Sequence, residues 1–232
     1  MSTADTVPAS KFTRAFLEEL RDHADPGADD AIATFFDDEL KAPAEGLMHA
    51  MIKHHPGSDE ASPALSAFLN EPVELPDWYD EAKFLAGQQL FSENLPQFGL
   101  ALWMASIPAG YAGAKDVVVL YRTQELLTHP KRRFLETGQF VLDVMTPGAL
   151  EPGSKGLNDI RHVRLMHAAV RHMLTHEAGQ LGLPEWDDRN GKPINQEALL
   201  ATMFTFSVVG IQSVNKFGVH LDDEEKEAYT HA

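Results

Sequence analysis

Residues 153–176 read GSKGLNDIRHVRLMHAAVRHMLTH and carry four of the eleven histidines in the chain. The spacing of the apolar residues predicts one long amphipathic helix. With about 100° between successive residues, the apolar positions within roughly 60° of His167 are Ile160, Val163, Val170 and Leu174. We therefore predict that His167 points towards the protein core.

The other three histidines of this stretch fall on the opposite side of the predicted helix. They are His162, His172 and His176, within roughly 40° of the centre of that side. His172 and His176 are four residues apart, a spacing that can hold a metal ion. The side that they occupy resembles a solvated surface, so we expect surface histidines there.

Two arginines border the apolar face of this helix. Arg164 and Arg171 lie about 40–60° from His167. A neutral imidazole in an apolar wall with cations at its rim suits an axial ligand of haem, because haem propionates would reach the rim. The alternative is an ordinary core histidine that is hydrogen-bonded within the protein, and the spacing alone leaves both open.

The preceding helix is predicted from Pro130 to Met145 and has an unusual stripe. Arg133, Thr137, Phe140 and Val144 follow one another at intervals of four, three and four residues, with Glu136 beside them. One interpretation is a buried pair of donors that faces a cofactor or oxygen. The other is an arginine that reaches the surface or pairs with Glu136, and a threonine that bonds to the preceding turn.

Composition excludes several classes of partner and chemistry. The 232 residues have a formal net charge of −16, which argues against nucleic acid or an anionic membrane surface as a partner. The chain has no cysteine, which excludes disulfides, thiolate metal sites and cysteine nucleophiles. The N-terminus shows no signal peptide, so we expect a cytoplasmic protein.

One uncharged stretch has nearly the length of a membrane span. Residues 95–114 contain no charged side chain, but they include Pro96 and Pro108. We expect a buried helix that ends near Pro108 and no stable membrane span. Asp222 begins a final helix, for which the sequence up to Ala232 contains no stop signal.

The pattern as a whole predicts an all-α protein with about ten helices. The extended connector 71–77 is the only candidate boundary, so we predict an N-terminal helical extension over 1–75 and a core over 76–232. In the extension, we expect the break at Asp25-Pro-Gly to end the first helix. Further helices are predicted at about Asp30–Leu40 and Pro43–His55.

Three motifs together resemble a known family. They are Arg132-Arg133-Phe-Leu-Glu136-Thr137, Val163-Arg164-Leu-Met-His167-Ala-Ala-Val-Arg171 and Lys192-Pro-Ile-Asn-Gln-Glu197. This order and spacing resemble the haem-dependent oxygenases that include the latex-clearing rubber oxygenases and the mycophenolate-pathway oxygenase B. The resemblance covers roughly residues 110–218, about half of the chain.

The resemblance implies a globin-like helical core around haem b, with additional N- and C-terminal helices. It implies that His167 is the proximal iron ligand and that Arg133 and Thr137 lie near the haem pocket. His172 matches a further histidine of the family that we expect to be structural. Characterised relatives use dioxygen to cleave carbon–carbon double bonds of isoprenoid chains.

Two positions depart from the rubber oxygenases. Glu136 stands where they carry a lysine that can cap the iron, and their upstream catalytic glutamate would fall near Val117. Glu136 could serve as a general base if it is buried. These departures concern rubber cleavage rather than haem binding.

The sequence thus predicts a haem b oxygenase that uses dioxygen on a hydrophobic, unsaturated, isoprenoid-like substrate. An apolar pocket would be lined by residues drawn from Leu100, Trp103, Met104, Phe140 and Phe206. The alternatives are a haem-binding or gas-sensing protein without turnover, and a haem-free helical protein. The predicted catalytic residues are Arg133, Glu136 and Thr137, and the predicted haem-binding residues are His167, Arg164 and Arg171.

Overall fold

The computed structural model describes residues 12–39, 62–113, 115, 117–123, 130–179 and 181–232. All regular structure in these residues is helical, and none of them forms a β-strand. The prediction of an all-α protein is therefore confirmed, whereas the globin-like arrangement of its core stays a prediction. The helix predicted at 43–55 lies outside the described residues.

The described residues of the N-terminal part form three short helices. They are α1 (Arg14–Leu20), α2 (Pro26–Thr34), which continues as a π-helical turn over Phe35–Glu39, and α3 (Pro63–Leu69). The second helix begins four residues earlier than predicted, because Asp25 caps it through the backbone N–H of Ala28 and Pro26 occupies the tolerated first position. Residues 71–76 have no regular structure, as expected for the connector.

The middle of the chain forms α4 to α7. These are α4 (Glu81–Glu93), α5 (Leu95–Ala101), a π-helical segment (Leu102–Ser106), α6 (Ile107–Gly110) and α7 (Val117–Thr123). The helix that begins at Leu95 therefore runs without a break past Pro108. Proline is tolerated there because it lies near the start of α6, directly after the wider π-helical turn.

The described residues of the C-terminal half form α8 to α12. They are α8 (Pro130–Val144), α9 (Lys155–His172) with a π-helical end (Met173–Glu177), α10 (Gln196–Phe204) with a π-helical end (Thr205–Val209), α11 (Gly210–Val214) and α12 (Asp223–His231). Side chains of Ser154, Asn195 and Asp222 cap α9, α10 and α12. Each cap satisfies a backbone N–H that has no partner within the helix.

Helix α9 contributes to two of the three clusters of buried apolar residues. One face, with Leu165, Ala168 and Ala169, packs against α2 and α3. Another face, with Val170 and Leu174, packs against Val119 of α7 and against the loop that follows α9. Helix α9 is therefore enclosed from two sides, and the N-terminal helices cover one of them.

The third cluster joins α4, α5, α11 and α12. Phe98 and Val214 are fully buried at its centre, and Tyr229 of α12 stacks on Phe98 with ring centroids 4.5 Å apart. Helices α4 and α12 pack closely because Gly87 has no side chain to separate them. The C-terminal helix is thus part of the core.

One helical stretch of the described residues has the length and apolar composition of a membrane span. It covers Gln196–Phe217, 22 residues, with a mean hydropathy of 1.4 over its most apolar window, and only 22% of that window is buried. The uncharged stretch at 95–114 is not the one that meets this criterion. The absence of a membrane span stays a prediction.

Replacing Gly87 with alanine tests the contact between α4 and α12. A Cβ at this position would lie 2.2 Å from the carbonyl oxygen of Ala228, a backbone atom that cannot rotate away. We expect the free energy of unfolding to fall by roughly 1–3 kcal/mol in urea denaturation.

Gly99→Ala is the matched control for Gly87→Ala. A Cβ at Gly99 meets no atom within 4 Å, so alanine should leave stability unchanged or raise it by up to about 1 kcal/mol. Equal effects of the two substitutions would contradict the proposed close packing of α4 on α12.

Candidate active site

Helix α9 carries most of the residues that the sequence singled out. His167 is half-buried on it, next to the buried Ala168 and one turn before the buried Arg171. Arg164 and Arg171 lie one helical turn before and after His167, so all three side chains leave α9 on the same side. The structure therefore keeps together the three residues predicted to bind haem.

Arg164 is paired with the N-terminal cap of α2. Its Nε and Nη2 atoms donate hydrogen bonds to the two carboxylate oxygens of Asp25, at 2.7 and 2.9 Å. The guanidinium also lies 4.9 Å from the centre of the Phe68 ring. Burial raises the pKa of Asp25, but the hydrogen bonds from Arg164 and from the backbone N–H of Ala28 outweigh it and leave the pKa lowered. Arg164 is therefore held by a carboxylate of α2.

Arg171 is the buried member of the pair, with only 5% of its surface exposed. Its Nε donates to Asp29 at 2.7 Å, and its Nη1 donates to the backbone carbonyl of Ile194 at 3.2 Å. Its Nη2 is buried and has no hydrogen-bond partner among the described residues. A buried guanidinium nitrogen without a partner is costly, and no acceptor among the described residues satisfies this one.

Of the three histidines on the other side of α9, we expected all to lie on the surface, but two are half-buried and only His176 is exposed. His172 is half-buried and stacks on Phe36 of the π-helical turn after α2, with ring centroids 4.1 Å apart. His176 is exposed and stacks on His172 at 4.7 Å. His162 is half-buried, and its Nδ1 contacts the carbonyl oxygen of Asn158. The expectation of a surface residue was therefore wrong for His172, because Phe36 covers its ring, and it holds for His176.

Helix α8 presents the predicted donor pair only in part. Thr137 and Phe140 are half-buried, while the side chain of Arg133 lies outside the described part of the structure. Glu136 is exposed and pairs with Arg132, whose Nε lies 2.7 Å from the carboxylate. Glu136 therefore does not have the burial that the proposed role as a general base required.

The loop between α9 and α10 contacts the N-terminal segment. The backbone N–H groups of Lys192 and Gln196 donate to the carbonyls of Arg21 and His23, both at 2.9 Å. Glu197 forms an ion pair with Arg21 at 2.6 Å. The third predicted motif, residues 192–197, thus packs against residues 21–25.

Among the described residues, no three histidine, aspartate or glutamate side chains gather in a group that could hold a metal ion. The donors that do come together are a histidine with two arginines. This set suits a cofactor that already carries its metal and has carboxylates of its own.

The comparison with known proteins gives a family. Residues 94–232, more than half of the chain, match the profile described as "ER-bound oxygenase mpaB/B'/Rubber oxygenase, catalytic domain". The chain belongs to this oxygenase family.

A relative with low sequence identity also supports this assignment. The rubber oxygenase of Streptomyces sp. (strain K30) is 24% identical over 215 residues, which cover 89% of this chain and 50% of that protein. The chain thus spans about half the length of this relative. No solved structure matches the chain significantly.

All six predicted site residues lie within the region that matches the oxygenase family. Asp25 and Asp29 lie outside it, and sequence reasoning missed them. The available signal was a pair of carboxylates four residues apart at Asp-Pro-Gly, where Pro26 permits a helix to begin. The sequence analysis predicts only that this motif ends the first helix.

From the partial burial of His172 we predict that the stability of the protein depends on pH. Burial lowers the pKa of His172, and the neighbouring His176 lowers it further. Because the unfolded chain then binds the proton more readily, the free energy of unfolding should fall as the pH drops below about 6.5. His172→Phe keeps a ring against Phe36 and should reduce this loss in urea denaturation at a series of pH values.

His23→Gln removes an exposed histidine and serves as the control. It should leave the pH dependence of unfolding close to that of the unmodified protein. A His172→Phe variant that loses stability with acid as steeply as this control would argue against the assignment to His172.

Proposed function

We propose that the chain is a haem b oxygenase that uses dioxygen to oxygenate or cleave a hydrophobic, unsaturated substrate, with His167 as the proximal iron ligand. The observation that carries the proposal is the buried Nη2 of Arg171, which has no hydrogen-bond partner among the described residues and lies one helical turn from the half-buried His167. The chain also belongs to the oxygenase family. Haem b needs one protein ligand for iron and cationic partners for its propionates.

The donor set fits haem better than a bare metal ion. A protein-bound metal ion without a porphyrin needs several side chains to fill its coordination sphere, and the described residues bring no such group together. In haem the porphyrin nitrogens fill the equatorial positions, so a single imidazole is sufficient. The Nη2 of Arg171, which has no partner among the described residues, would donate a hydrogen bond to a propionate carboxylate.

The two arginines are not equivalent in this proposal. Arg164 already donates two hydrogen bonds to Asp25, and it would have to give them up to bind a propionate. Arg171 keeps its bond to Asp29 and still has a nitrogen to donate. We therefore assign the hydrogen bond to a propionate to Arg171. Arg164 would make a supporting contact with the same cofactor.

When bound, haem would supply the redox chemistry that activates dioxygen. The protein would contribute orientation and hydrogen-bond donors. The imidazole of His167 would bind the iron, and the hydroxyl of Thr137 would be a hydrogen-bond donor of the haem pocket. The family resemblance implies that Arg133 belongs to the same pocket.

An apolar substrate agrees with the surface beside α8. Trp103 stacks on Phe134 of α8 with ring centroids 5.4 Å apart. Trp103 and Met104 nonetheless remain 46% and 69% exposed. Large apolar side chains with this exposure are typical of a surface that binds an apolar ligand. We propose that an isoprenoid-like chain lies against them.

A second candidate is a haem-binding or gas-sensing protein without turnover. The observation that favours it is the position of Glu136, which is exposed and paired with Arg132 and so is not placed as a buried base. Measurement of oxygen consumption with a panel of isoprenoid substrates separates the two, because only the oxygenase consumes oxygen in step with substrate.

The substitution His167→Ala tests the iron ligand. Purified protein reconstituted with haem should show a Soret band, and the variant should retain no haem after gel filtration, because the iron would lose its axial bond to the protein. His176→Ala, an exposed position on the same helix, should retain haem like the unmodified protein. If His167→Ala keeps its full haem content, the ligand lies elsewhere.

Thr137→Val tests the proposed hydrogen-bond donor of the haem pocket. The change replaces a hydroxyl by a methyl group of similar size, so haem content should stay the same. The rate of oxygen consumption should fall about tenfold, the effect of losing a hydrogen bond worth roughly 1.4 kcal/mol. An unchanged rate would remove Thr137 from the mechanism.

A further inference from the structure

We propose that Asp25 and Asp29 of the N-terminal segment are positioning residues for His167, acting through Arg164 and Arg171. This inference rests on the proposed function only where it predicts an effect on bound haem. The placement of the imidazole by α2 is a property of the chain itself. The segment lies outside the residues that match the oxygenase family.

The spacing of the two ion pairs supports this inference. On α9 the arginines are seven residues apart, with His167 between them at three and four residues. On α2 the carboxylates are four residues apart, one at the cap and one in the first turn. Arg164 pairs with Asp25 and Arg171 with Asp29, each with a nitrogen–oxygen distance of 2.7 Å. The turn of α9 that carries His167 is therefore held at both ends by α2.

The segment that carries Asp25 is itself held in place. Asp25 also accepts the backbone N–H of Ala28, as the cap of α2. Just before it, the side chain of Gln196 donates to the carbonyl of Ala24 at 2.7 Å. Gly191 lies so close to Arg21 that an added Cβ would be 2.7 Å from its backbone carbonyl oxygen. The loop after α9 thus fixes the segment that in turn fixes α9.

The charge of the Arg171 guanidinium is buried. Arg171 is almost completely buried, and Asp29 is the carboxylate that neutralises it. Without this carboxylate the guanidinium would be left charged, buried and short of acceptors, and it would move towards another acceptor. A shift of the helical turn by even a fraction of an ångström changes the direction of the His167 imidazole, and ligand direction tunes a bound metal.

The experiment compares Asp25→Asn, Asp29→Asn and the double variant with Asp30→Asn in the full-length chain. Asp30 is exposed on the same helix, so its substitution makes the same change of charge without touching either arginine. Asp29→Glu, which restores a carboxylate, is the rescue variant. Unfolding in urea is measured for every variant to report on stability.

The first measurement uses haem-free protein and follows the imidazole NMR signals of His167, assigned by comparison with His167→Ala. We expect these signals to shift in Asp25→Asn and Asp29→Asn, to shift most in the double variant and to stay in place in Asp30→Asn. Asp29→Glu should return them most of the way. Unmoved His167 signals in variants that have lost stability would overturn the proposal, because the ion pairs would then be structural only.

The second measurement uses haem-loaded protein and follows the Soret position and the rate of haem loss to an excess of a haem-free acceptor protein. We expect Asp29→Asn to lose haem about tenfold faster, equivalent to roughly 1.4 kcal/mol, and to shift the spectrum. A spectrum and a rate like those of Asp30→Asn would overturn the positioning role. Failure of the unmodified protein to bind haem would contradict the proposed function instead, and the NMR measurement would still decide the role of the carboxylates.

Discussion

The ion pair between Arg171 and Asp29 is the contact on which the arrangement of the candidate site depends. It joins a nearly buried guanidinium on α9 to a carboxylate in the first turn of α2. Because Asp29 is about one-third exposed, solvent screens the pair, and we estimate that loss of the carboxylate costs about 1–3 kcal/mol. Its greater importance is geometric, since it sets where α2 crosses α9.

This crossing explains why α9 is buried from two directions. Leu165 and Ala168 face α2 and α3, whereas Val170 and Leu174 face α7 and the following loop. His167 lies between these two faces and remains half-buried. Such a position suits a ligand that must be oriented by its helix and yet be reached by a cofactor. The N-terminal helices thus belong to the same packed unit as the family domain.

The apolar surface beside α8 is the other feature that connects fold to function. Along the stretch from Leu95 to Gly110, Phe98, Ala101 and Leu102 are buried, while Trp103 and Met104 are exposed on the other side. A helix that is apolar all round needs partners on every side. The proposed apolar substrate would pack against the exposed side of this stretch.

The sequence by itself determined the helical class, the start of the last helix at Asp222 and the oxygenase family, because these depend on periodicity, local hydrogen bonds and motif spacing. It also placed His167, Arg164 and Arg171 on one side of a single helix, since residues three and four apart share a face. Only the tertiary structure decided that Arg164 and Arg171 pair with Asp25 and Asp29, that Phe36 stacks on His172, and that Glu136 is exposed. These are contacts between residues more than a hundred positions apart, or depend on which surface another helix covers, and neither leaves a periodic signal in the chain.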